Sequence, residues 1–158
     1  MEAAKRAMAA AETEARKNNW PVTIAIVDTT GSLSMLLKLD NTGIASVDIA
    51  VGKARTALEF RRPTKALQDT VAAGGAGMRL LSLRGAFLID GGVPIVIDGT
   101  IVGAIGVSGV LGEQDAQVAA AGAAAAKVRC VKQVQLFSTP TVRAQQTMPI
   151  RVTQVVAL

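Results

Sequence analysis

Between Gly91 and Gly109 two β-rich runs, Val93–Ile97 and Ile101–Val107, are joined by Asp98-Gly99. An Asp-Gly pair between apolar runs is a strong hairpin signal, because both central positions of the tight turn that suits twisted strands need a positive φ. The second run carries Gly103 and Gly106 and is followed by Gly109. Glycine weakens a strand interior, so glycines here mark close approach by another backbone or by a ligand. Packing and ligand approach are equally good accounts of them at this stage.

Around this hairpin the sequence orders the remaining elements. Glu2 to Asn18 is rich in Ala, Glu, Lys and Arg and predicts a helix that Pro21 cannot continue. Val22–Val27 alternates as a strand with one well-buried face, and Asp28 to Gly31 turns it back into Ser32–Leu39. Ser46 caps a helix running to about Phe60, with Val47, Val51, Ala54 and Leu58 facing the core. Pro63 interrupts, and Thr64 to Ala73 forms a second, short helix. Met78 to Leu83 reads as a helical turn or a loop, Ala86–Ile89 as a short strand, Gly91-Gly92 as a turn, and Gly112 to Val128 as the last helix. Hairpins dominate, so the expected class is α+β: a mainly antiparallel sheet with helices packed on it.

At 158 residues, half of them hydrophobic, the chain suffices for one domain with a proper core. That domain is expected over 1–128. Residues 129–158 change character, with two prolines, many Gln, Thr and Val and no helical period. They read as a C-terminal extension, either an arm laid on a neighbouring subunit or a disordered tail. Four of the 17 basic residues lie in that extension, which holds no acid, so 1–128 carries 13 basic against 12 acidic residues. A nearly neutral body with 3% aromatics lacks the basic stripe and stacking rings that nucleic acid requires. No run approaches the ~18–20 apolar residues of a membrane span. The start has alternating charge rather than a secretory apolar core, and the single Cys130 makes no internal disulfide. The expected location is cytoplasmic.

The chain contains no histidine. This removes the Ser–His–Asp triad, the Cys–His pair, and histidine-ligated zinc or haem iron. Proton transfer near neutral pH would need a shifted Lys, Asp, Glu or Cys, or a bound water. Lys53 falls between apolar Val51 and Ala54 near the inferred core face, where a partly buried lysine serves as a base or as an anion anchor. Arg61 and Arg62 suit either an anion or the carbonyls at the helix end. Ser108 and Gly109 open a glycine-flanked loop before the last helix, whose start favours an anionic group; Asp115 satisfies that helix start or reaches a ligand or a second subunit. Asp28 reads most simply as a turn residue. No metal cluster is expected.

Four strings occur in order: V-D-T-T-G-S-L at 27–33, K-A-R-T-A-L-E-F-R-R-P-T at 53–64, G-G-V-P-I-V-I-D-G-T-I-V-G-A-I-G-V-S-G at 91–109 and Q-D-A-Q-V-A-A-A-G at 114–122. Together they resemble the GlcG/HbpS family, the haem-degrading domain that also closes PduO-type proteins, over roughly Ala3 to Val128. The resemblance implies a profilin-like or longin-like α+β fold, a homo-oligomer, and haem or corrinoid as cofactor. It carries Asp28, Lys53, Arg62, Pro63, Gly91, Gly92, Pro94 and Asp115 over as motif residues. It departs in lacking histidine, so haem held through imidazole is unavailable, leaving as iron ligands a weak oxygen donor such as Thr, or the Lys53 amine, or a Met sulfur. Three functions are weighed. The first is a tetrapyrrole binder. The second is an enzyme or accessory binder for a small hydroxy or keto acid, with Lys53 or Arg62 on the carboxylate, backbone near Gly92 or Ser108 on the rest, and Lys53 as the catalytic candidate. The third is a structural subunit whose glycines serve packing alone. The expected partner is a small, anionic molecule.

Overall fold

Side-chain alternation in the central strands decides how the layers stack. In the computed structural model, which describes residues 1–127, strands β1 (Thr23–Val27), β2 (Leu33–Lys38), β3 (Gly92–Ile97) and β4 (Thr100–Ser108) form one antiparallel sheet in the order β2-β1-β4-β3. β1 pairs with β4 so that Ile24 meets Val107 and Ile26 meets Ile105, while Thr23 meets Ser108 and Ala25 meets Gly106. The first set faces helices α1 (Glu2–Lys17) and α4 (Gly112–Ala126) and builds the main core with Ala7, Ala11, Val118 and Ala119. The second set faces helix α2 (Ser46–Glu59), where Val27 and Ala104 pack on Ala54 and Ala57. Helix α3 (Thr64–Ala72) and a 3₁₀ segment (Gly75–Ser82) follow α2. The α+β, antiparallel, single-domain architecture is the one expected.

Four local expectations change. β1 is buried on both faces rather than one, because α2 covers the side that alternation assigned to solvent. Ser46 is the first helical residue, and the helix start has no side-chain cap. Its hydroxyl instead donates to Gly43 O at 2.6 Å and receives Thr23 Oγ1 at 2.7 Å, tying α2 to the sheet. The inward face of α2 is Ser46, Ala50, Lys53, Ala54 and Ala57, with Val47, Val51 and Leu58 at its margins. Small residues win that face because the helix lies against sheet backbone. A Cβ built on Gly106 would meet Ala50 O and come 2.5 Å from Ala54 N. Gly103 and Gly109 likewise abut the backbones of Val27 and Pro21. These three glycines therefore serve packing within one chain. Finally, Ala86–Ile89 is not a strand. Its backbone is held by a side chain, Phe87 N donating to Thr56 Oγ1 at 2.9 Å, rather than by a ladder.

Proline at 94 is tolerated because β3 is an edge strand and need not donate on its open side. No helix among the described residues is long and apolar enough to cross a membrane. The expected C-terminal extension lies outside the described residues.

Candidate functional site

One end of the sheet gathers most of the chemistry. There β4 finishes at Ser108, β3 begins at Gly92 and α4 starts. Lys53 points from the inner face of α2 towards this end and is 2% exposed. Its Nζ donates to Val107 O at 2.9 Å and to Asp115 Oδ2 at 2.8 Å. The other oxygen of Asp115 accepts Val110 N–H at 3.2 Å. Helix α2, the end of β4 and the first turn of α4 are thus joined through one ammonium and one carboxylate. Burial pushes the Asp115 carboxyl upward, against the pull of the Lys53 hydrogen bond and charge and of Val110 N–H; the negative charge of Asp90 adds to the rise.

Gly91 closes over this pair. Its φ is +115°, and a Cβ there would lie 2.8 Å from Lys53 Nζ, 2.9 Å from Asp115 Cβ and 2.7 Å from Val107 O. No side chain fits, which accounts for the residue type. The segment around it is fixed by α3: Asp90 N–H donates to Gln68 Oε1 at 2.7 Å and Gly92 N–H to Thr64 Oγ1 at 2.9 Å. Asp90 Oδ1 in turn accepts Gly91 N–H at 2.8 Å. Val107 N–H donates to Gly91 O at 2.9 Å, completing the link to β4.

Beside this scaffold lies a cleft of about 540 Å³, within the range of ~300–1,000 Å³ usual for small-molecule sites. Ile49, Ile89, Val110 and Leu111 provide apolar walls; Lys53, Asp90, Ser108 and Asp115 provide polar ground. Lys65, Gln68, Gly112 and Glu113 complete the lining, Lys65 being paired with Asp69.

The residues singled out from sequence divide clearly. Lys53, Gly91, Gly92, Ser108 and Asp115 come together here. Asp28 sits beyond the opposite end of β1, since Thr23 pairs with Ser108 and Val27 with Ala104. Its Oδ1 accepts Thr30 Oγ1 at 2.6 Å, Thr30 N at 2.8 Å and Ser32 N at 3.1 Å, bonds that hold its carboxyl below the ordinary range and make it a turn residue. Arg62 is exposed and donates from Nε to Phe60 O at 3.3 Å, as a residue satisfying a helix end does. Pro94 lies within β3, opposite Ala104. Sequence reasoning missed Asp90, Gln68 and Lys65. Asp90 was hidden because the preceding residues read as a strand entering a turn; the available signal was an acid directly before Gly-Gly. Gln68 stands four residues after Thr64, so the two share one face of α3.

Comparison with known proteins gives a consistent picture. The family model described as haem degrading protein HbpS-like matches residues 1–124. Protein GlcG of Escherichia coli K12 is 44% identical over 101 residues, covering 64% of this chain and 74% of that protein. A crystal structure of a double mutant of HbpS from Streptomyces reticuli superposes with a TM-score of 0.71 at 37% identity, over 78% of this chain and 83% of that one. The crystal structure of a PduOC–haem complex gives a TM-score of 0.72 at 28% identity, over 79% and 92% of the two chains.

Proposed function

The chain belongs to the HbpS-like family of haem-degrading proteins, and from that membership we propose that it binds a tetrapyrrole-class organic ligand in the cleft beside Lys53 and Asp115. The observation that carries this reading is the cleft itself. Apolar Ile49, Ile89, Val110 and Leu111 flank a space of about 540 Å³ whose ground is polar, an environment suited to a flat apolar body bearing polar groups. The PduOC relative was crystallised with haem, which supports the ligand class. In this reading Lys53 is a positioning residue. Its charge is committed to Asp115, and through Asp115 it holds the loop that presents Val110 and Leu111. Haem supplies iron and an extended conjugated ring; the residues here suit the ring better than the iron. Self-association is part of the same proposal, supported by the exposed apolar side chains of Ile44 and Leu81 outside the cleft.

Titrating haem into the full chain is expected to raise a saturable Soret band at micromolar concentrations, and a charge in the apolar wall, Leu111→Glu, to weaken it. No spectral change would overturn the proposal.

A second reading, a binder of or enzyme on a small hydroxy or keto acid, is favoured by one observation. A carboxyl raised by burial, Asp115, lies 2.8 Å from the Lys53 ammonium with Ser108 in the same cleft, a donor–acceptor pair of the kind that moves protons beside a carbonyl. Thermal shift against such acids tests it; a stabilising acid that loses its effect in Lys53→Met would favour this reading over the first.

A further inference from the structure

Among the described residues, the cleft lacks imidazole, thiolate and thioether, the donors that hold haem iron strongly. Histidine is absent from the whole sequence. Among the described residues, no methionine, threonine or cysteine lines the cleft; the further oxygen donors that do include the Ser108 hydroxyl and the Glu113 carboxylate, both weak ligands for haem iron. The amine of Lys53 is committed as an ammonium to Val107 O and Asp115 Oδ2, which leaves no lone pair for a metal. Both oxygens of Asp115 accept protein donors, from Lys53 and from Val110 N–H. Asp90 offers a carboxylate of which Oδ1 is held by Gly91 N–H. No group of three or more acidic, cysteine or histidine side chains among the described residues could hold a metal ion. What the cleft does offer is apolar flanks and, at its mouth, the Lys65 ammonium, 46% exposed at its side chain and paired with Asp69 at the surface. The flanks would contact the body of a macrocycle, and Lys65 would exchange Asp69 for one of its carboxylates; neither contact depends on the metal at its centre.

We infer that this chain recognises the organic macrocycle rather than the metal, so that an iron-free porphyrin dicarboxylate is as good a ligand as haem. The inference rests on the tetrapyrrole reading above and sharpens it. An apolar ring buried between Ile49, Ile89, Val110 and Leu111 gains the same transfer free energy with or without iron. A protein–iron bond, where one forms, favours haem alone.

The test is calorimetric titration of the full chain with haem and, separately, with iron-free protoporphyrin IX, each repeated on Lys65→Glu and on Cys130→Ser. Cys130 lies outside the described residues and is the one thiol in the sequence. The expected result is that protoporphyrin IX binds no more than about fivefold weaker than haem. Lys65→Glu should weaken both ligands alike, and Cys130→Ser should leave both unchanged. Haem binding more than about fivefold tighter than the iron-free ring overturns the inference while leaving the tetrapyrrole reading intact. So does a haem affinity that falls selectively in Cys130→Ser. If neither compound binds, the tetrapyrrole reading fails and this inference falls with it.

Discussion

Lys53 Nζ stands 2.8 Å from Asp115 Oδ2, with both side chains 3% exposed, and this pair bridges two helices that lie on opposite faces of the sheet. The bridge passes around the end of β4, where Val107 O takes a second hydrogen bond from the same ammonium. It fixes the start of α4 relative to α2 and so sets the width of the cleft between them.

Breaking a buried ion pair from one side leaves the other charge uncompensated. Lys53→Met is expected to cost about 3–5 kcal/mol of folding stability in chemical denaturation. The double variant Lys53→Met, Asp115→Leu should recover most of that loss, since well-packed apolar replacements of buried pairs are often neutral. A single variant as stable as the parent would mean that the pair does not hold the two helices together.

The raised Asp115 carboxyl has a definite pH signature. The folded state keeps this proton to higher pH than the unfolded chain does. Its contribution to stability is therefore full below the ordinary aspartate value of ~3.9 and is lost as pH rises through the folded value. Carbon-detected NMR titration should place the Asp115 midpoint above that ordinary value. Lys53→Met should move it further up, by removing the attraction that opposes burial. A midpoint at or below the ordinary value contradicts the assignment.

Gly106 offers a packing test. Its missing side chain lets Ala50 and Ala54 of α2 rest on β4. Gly106→Ala should lower stability by about 1–3 kcal/mol through overpacking, seen as a drop of several degrees in Tm. Gly43, which has nothing within 4 Å of a built Cβ, is the control. Gly43→Ala should stay within about 0.5 kcal/mol of the parent.

The fold was largely legible because local signals agreed. Asp98-Gly99 marked the β3–β4 hairpin, which forms with both residues at positive φ. Alternation in Val22–Val27 marked β1, yet could not reveal that α2 would bury its second face. Apolar periodicity misjudged the α2 face for the same reason: Ala50 and Ala54 are chosen for closeness to Gly106, and closeness across distant parts of the chain leaves no local period. At the site, Lys53 stood out as a cation among apolar residues, and Asp115 as a helix-start acid able to reach a ligand or a second subunit, but nothing local marked the two as partners. Their meeting depends on α2 and α4 converging at one end of the sheet. Asp90 escaped because Ala86–Ile89 read as a strand running into a turn, whereas its position is set by side chains of α3, Gln68 and Thr64, instead of a strand ladder.

The ligand's place can be read directly from amide chemical-shift changes in the labelled full chain on titration with protoporphyrin IX. Binding in the cleft beside Lys53 and Asp115 should give saturable shifts concentrated at Ile89, Asp90, Val110, Leu111 and Gly112, with Asp28 to Ser34 at the far end of the sheet unmoved. Shifts centred on Asp28 to Ser34, or none at either end, would contradict it.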